Sequence, residues 1–139
     1  MVDKLEVSGR DEFRGKTGYG KWVYGGTYDD KIVRNRSDVD LPICLLVDRI
    51  TTVKKETIGQ YTGLKDKNGE KIYEGDIISF YNDEEYKITP TNGLVIYDSG
   101  SFMVEHKEMG KEYLGELDIE EMCIKVIGNV YDNPELLKG

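Results

Sequence analysis

The chain has 139 residues, 38% of them hydrophobic, which suits a single hydrophobic core supplemented by ten tyrosines whose rings can be buried while their hydroxyls stay wet. It has no uninterrupted apolar run near the ~20 residues of a membrane span and no basic-then-apolar signal pattern at its start, so a cytoplasmic protein with no membrane partner is expected. The net charge of −8 is uneven: residues 1–75 carry 14 Lys/Arg against 13 Asp/Glu and residues 76–139 carry 5 against 14, and the interleaved basic residues lack the footprint of a nucleic-acid binder.

Residues 1–11 are polar and read as a frayed terminus or an edge strand. Phe13-Arg14-Gly15-Lys16 and the run from Lys21 to Tyr28 then read as two strands around a glycine-containing turn, with Trp22 and Tyr24 on one face and Val23 on the other. Gly18, Gly20, Gly25 and Gly26 do not make a phosphate-cradling loop, because such a loop leads into a helix and this one leads into a strand. Asp29-Asp30 marks a turn before a short strand at residues 31–33, and residues 34–40 are charged and irregular. Residues 41–47 form the most apolar run, in which Pro42 favours a strand start or an edge. Cys44 lies in that run and Cys123 between Met122 and Ile124; both read as reduced, buried thiols, too few for a disulfide framework. With one histidine and no Cys-x-x-Cys, neither a metal nor a cofactor is expected.

Further on, Asn68-Gly69 is the strongest turn signal, and it would pair residues 60–64 with residues 71–73. Glu74-Gly75-Asp76 leads into a β-rich run ending at Phe80, where Asp76 is expected to accept backbone N–H groups of the turn. Residues 82–85 form an acidic turn without calcium-loop spacing. A short strand at residues 86–88 precedes the clearest hairpin, residues 94–97 and 101–106 around Asp98-Ser99-Gly100. His106, at the end of that hairpin, is expected on the surface, without a nucleophile to serve. Residues 107–111 read as a charged loop, after which Tyr113 and Leu114 return to the core. Asp118 is expected to start a single helical turn. A closing strand, residues 123–131, carries a bulge at Gly128-Asn129, and Asn133-Pro134 opens a short helix.

Three of these stretches together resemble the YopX family: the hairpin that leads from Phe13-Arg14-Gly15-Lys16 to Trp22-Val23-Tyr24-Gly25, the segment from Gln60 through Asn68-Gly69 and Gly75-Asp76 to Ile78, and Ile127-Gly128-Asn129-Val130-Tyr131 followed by Asn133-Pro134-Glu135-Leu136-Leu137. Residues 13–26 and 56–80 match well and the middle poorly. The resemblance implies a bacteriophage or prophage protein without an established activity, and a homo-oligomer.

The expected fold is mainly β, or α+β with few short helices: antiparallel strands, an SH3-like barrel in the C-terminal half, and an N-terminal β unit packed with it. One domain spans residues 1–139, with a subdivision into 1–58 and 59–139. The expected function is a non-enzymatic accessory role, exercised by self-association or by binding a host or phage protein. A nucleic-acid-associated module is the alternative, should Arg34, Arg36, Arg49, Lys54 and Lys55 converge with Trp22 or Tyr61. A hydrolase using Asp76, His106 or Glu105 is a remote third. No catalytic residue is assigned. The candidate binding surface is Tyr61, Lys65, Lys67 and Tyr73, read as exposed, together with Trp22.

Overall fold

The computed structural model describes residues 13–28, 31–34, 50–81, 90–106 and 110–138. The strands expected at residues 41–47 and 86–88, the acidic turn at 82–85 and Cys44 lie outside them. The described residues form eleven β-strands and three single 3-10 turns, and the strands pair antiparallel. The chain divides into two compact units, Met1–Tyr61 and Thr62–Gly139.

In the first unit, β1 (Phe13–Lys16), β2 (Trp22–Tyr28), β3 (Lys31–Arg34), β4 (Ile50–Thr52) and the start of β5 (Gly59–Lys65) lie in the order β4-β3-β2-β1-β5. The β1–β2 turn is closed by its own threonine. Thr17 N–H donates to Lys21 O at 2.8 Å, Lys21 N–H to Thr17 Oγ1 at 2.9 Å and Gly20 N–H to Thr17 O at 3.0 Å, while Gly20 takes the left-handed φ of +90° that the reversal requires. Arg14 faces Tyr24 and Lys16 faces Trp22 across the ladder, so these four side chains share one side of the sheet. The other side carries Val23, which is buried with Ile32 and Val53 and flanked by Phe13 and Ile58. Gly15 lies opposite Val23, and a Cβ there would stand 2.7 Å from Val53 Cγ2. The missing side chain is therefore what admits Val53, and the segment that follows it, against β1.

In the second unit the remainder of β5 forms a hairpin with β6 (Lys71–Tyr73), tied by Thr62 Oγ1 donating to Ile72 O at 2.8 Å. A separate sheet contains β7 (Asp76–Phe80), β8 (Thr91–Asp98), β9 (Ser101–His106), β10 (Gly110–Tyr113) and β11 (Lys125–Asn129) in the order β10-β9-β8-β7-β11. That order is open: among the described residues β10 and β11 are its two ends, so the antiparallel β class is observed without barrel closure. β7 is buried along its whole length, as a central strand covered on both faces should be. Ile72, Ile78, Phe80, Val95, Val104, Leu114 and Ile124 form the core. Gly93 makes room for it, since a Cβ there would lie 2.5 Å from Val104 Cγ1 and 3.1 Å from Phe80 Cε1.

Several local expectations are corrected. Residues 110–113, read partly as a charged loop, form edge strand β10, and Tyr113 is 51% exposed; Leu114 is the residue that enters the core. His106 is buried, its side chain 1% exposed, because β9 alternates and Phe102, Val104 and His106 point to the same inner face. Cys123 is only half-buried, at the end of a surface turn where its φ is +51°. Two others hold: Asp118 starts its single turn, with Glu121 N–H donating to Asp118 Oδ1 at 2.9 Å, and Pro134–Leu137 is a short helix of the 3-10 type with Pro134 in its first turn.

Candidate functional site

The five candidate surface residues divide between the two units, and each group is taken by itself. In the first unit, Trp22 is partly exposed and its ring carries cations: Arg14 Cζ lies 4.7 Å from the ring centroid and Lys16 Nζ 6.0 Å. The buried Arg14 guanidinium thus lies against an aromatic face. Tyr61, on β5, is partly exposed. Lys54 and Lys55 are exposed, and the backbone brings them to the same end of the hairpin: Lys54 N–H donates to Lys16 O at 2.7 Å, and Lys16 N–H donates to Thr57 Oγ1 at 2.8 Å. Thr57 Oγ1 in turn donates to Lys54 O at 2.6 Å. Lys54 and Lys55, two members of the basic set, therefore stand beside Lys16, the direct ladder partner of Trp22. The side chains of Arg34, Arg36 and Arg49 lie outside the described residues.

In the second unit, Lys65 and Lys67 are exposed on either side of Asp66. Tyr73 is 4% exposed and belongs to the interior, which corrects its reading as a surface residue. Ile72 is buried beside it, so β6 is covered on both faces and strand alternation does not deliver Tyr73 to solvent. Asp66, which the sequence did not single out, is 6% exposed and accepts three backbone N–H groups: Asn68 at 2.8 Å and Glu70 at 2.9 Å on Oδ1, and Val126 at 2.9 Å on Oδ2. The local half of that pattern, an Asp two residues before Asn-Gly, was visible as a turn signal; the bond to β11 was not.

Asp76 opens β7, whereas His106, on β9, lies beside Phe80 at the other end of that strand. Asp76 Oδ2 accepts Tyr73 N–H at 2.8 Å, whereas the His106 ring stacks edge-on to Phe80 at 5.7 Å and its Nε2 lies 3.9 Å from Glu112 Oε2. From Asp76 to Phe80 the strand rises about 13 Å, so the two residues do not form a catalytic pair.

One concave feature among the described residues of this unit is an open pocket of about 530 Å³, lined mainly by Thr62, Leu64, Phe102, Tyr113, Leu114 and Glu116. Tyr97, half exposed, stacks edge-on against Phe102 at 5.0 Å. Nearby, Lys111 Nζ contacts Asp98 Oδ2 at 2.6 Å. The hydrogen bond from Lys111, and a smaller one from Ser99, hold the Asp98 carboxyl below its ordinary range, and the same bond raises Lys111 above its own. Among the described residues no three of His, Cys, Asp and Glu converge as a metal-binding group, and no helix is long and apolar enough to cross a membrane.

The family profile described as YopX protein matches residues 12–138. The chain belongs to the YopX family. Its fold is similar to the crystal structure of protein EF1440 from Enterococcus faecalis, with a TM-score of 0.55 and 23% identity over 91% of this chain and 97% of that one. It is also similar to protein yopX from Bacillus subtilis, with a TM-score of 0.51 and 21% identity over 94% of this chain and 98% of the other. Likenesses at these identities speak for the fold alone. No curated protein matches the chain.

Proposed function

We propose that this YopX-family chain is a non-enzymatic bacteriophage or prophage accessory protein of the bacterial cytoplasm that works by binding protein, either a second copy of itself or a host or phage protein. The observation that carries this reading is the apolar pocket lined in part by the half-exposed Tyr113, with Tyr97 packed on its Phe102 wall. Aromatic side chains around a concave apolar patch are the usual anchors of protein interfaces. The charge of the surrounding unit narrows the chemistry of the partner. Residues 62–139 carry 8 Lys and no Arg against 17 Asp/Glu, so the segment that fits is an apolar anchor flanked by Lys or Arg.

The test is light scattering coupled to size exclusion across a concentration series, together with titration of basic peptides carrying a central Leu or Phe. A mass above that of one chain, or peptide binding, that is lost in Tyr113→Glu supports the reading. Monomer at every concentration combined with no peptide binding refutes it.

A further inference from the structure

The β1–β2 hairpin differs in character from the rest of this acidic chain. Residues 13–28 contain Arg14, Lys16 and Lys21 and not one Asp or Glu. At the turn, Tyr19 is 81% exposed, a large aromatic ring left in water at the tip. Lys21 is exposed beside it, and the bonds from Lys54 N–H to Lys16 O and from Lys16 N–H to Thr57 Oγ1 add the exposed Lys54 and Lys55 to the same end. Glu56 is the one acid in that group. The backbone of this arrangement is held by those bonds and by Val53 filling the space over Gly15, so the fold sets where each lysine leaves the chain.

From these observations we infer that the tip of the β1–β2 hairpin, with Lys16, Lys21, Lys54, Lys55, Tyr19 and Trp22, binds single-stranded nucleic acid. Lysines spaced along a short ridge contact successive phosphates, and an exposed ring offers a base the π-face that a duplex keeps buried in its own stack. The acidity of residues 62–139 opposes general adhesion to polyanions, so binding is confined to this end and falls steeply with salt. Four lysines engaging phosphates of a single strand give a slope of about −3 in log affinity against log salt.

Trp22 makes the inference directly testable, because it is the only tryptophan in the chain and lies on the hairpin across from Lys16. A labelled single-stranded oligonucleotide of mixed sequence is titrated with the full chain at low salt, following anisotropy and Trp22 emission together. The expected result is saturable binding with a change in Trp22 emission, weakened at least tenfold by Lys21→Glu with Lys55→Glu and about tenfold by Tyr19→Ala. These positions are exposed, and circular dichroism confirms that the variants are folded. Absence of both signals at low salt overturns the inference. So does binding that leaves Trp22 emission unchanged and is indifferent to the lysine reversals, which would place it elsewhere. Equal competition by duplex DNA or polyglutamate overturns the single-strand assignment in favour of a generic polyanion or an acidic protein. None of these outcomes bears on the Tyr113 pocket, whose test reads a different partner.

Discussion

Removal of the Asp66 carboxylate should be among the most damaging single changes in the second unit. Hydrogen bonds to an ionised acceptor contribute about 1.5–3 kcal/mol each, but the three that Asp66 accepts are unequal. Asn68 and Glu70 are exposed, and once the carboxylate is gone water can reach their N–H groups, so each costs well under the full value. Val126 N–H has no such relief. It bonds Asp66 Oδ2 at 2.9 Å on a strand whose neighbour Ile124 is fully buried, and Ile124 O accepts Lys67 N–H at 3.0 Å from the same loop. Adding about 2 kcal/mol for Val126 to about 1 kcal/mol for the loop donors, Asp66→Ala is expected to cost about 3 kcal/mol. Asp66→Asn keeps one oxygen but must present its amide to one of the three N–H donors. An amide that serves the loop therefore leaves Val126 facing a second donor, and the expected loss is about 2 kcal/mol. Urea denaturation followed by circular dichroism supplies the energies, and amide hydrogen exchange at Val126 and Lys67 supplies the location. A loss below about 0.5 kcal/mol for Asp66→Ala, with Val126 exchange unchanged, would refute the reasoning.

Two further outcomes follow from the same unit. Gly93→Ala places a methyl 2.5 Å from Val104 Cγ1 and should cost about 2 kcal/mol in thermal or urea unfolding, part of which a second change, Val104→Ala, should restore; a neutral Gly93→Ala would show that the core yields there. The Asp98–Lys111 pair predicts a direction with pH. Because the Asp98 pKa is depressed, the pair's contribution is present above the ordinary carboxylate value of 3.8 and is lost as the pH falls through the lowered value; because Lys111 is raised, the contribution is lost again as the pH rises past 10.5 and through the raised value. Carboxyl NMR titration should find Asp98 below 3.8 in the parent chain and higher in Lys111→Gln than in the parent, and an unmoved Asp98 would contradict the geometry.

What the sequence revealed of this fold was what short-range chemistry decides. Asn68-Gly69 and Ser99-Gly100 mark reversals because their glycines tolerate positive φ, and Gly69 and Gly100 both take +84°. Edge strand β10 escaped notice for the opposite reason. Lys111 and Glu112 break the apolar alternation by which strands are recognised, and charged residues of this kind are what protects an edge from pairing with another chain. The burial of His106 was legible through its parity with Val104, since the alternation of β9 runs to the strand's last residue. The gathering of Lys54 and Lys55 beside Lys16 was not legible. It depends on Val53 settling over Gly15, a contact between residues far apart in the chain, and no local pattern announces it.

The stretch from Gln60 to Ile78, which resembles the family most closely, acts chiefly as scaffold. Asp66 ties its loop to β11, Asp76 holds the turn after β6, and Gly75 donates its N–H to Val95 O at 2.8 Å while its own carbonyl accepts Val130 N–H at 2.9 Å. At Gly75 the φ is +93° and a Cβ would stand 3.0 Å from Tyr131 Cε2, so both backbone conformation and space require glycine. These residues join the β5–β6 hairpin to the sheet, and a variant at any of them that stops binding also weakens the unit that presents the pocket. Tyr19, Lys21, Lys55 and Tyr113 stand differently: each is exposed and can be exchanged with the framework intact. Loss of binding at those four positions is loss of recognition, and the function of this chain is best sought there, outside its most recognisable stretch.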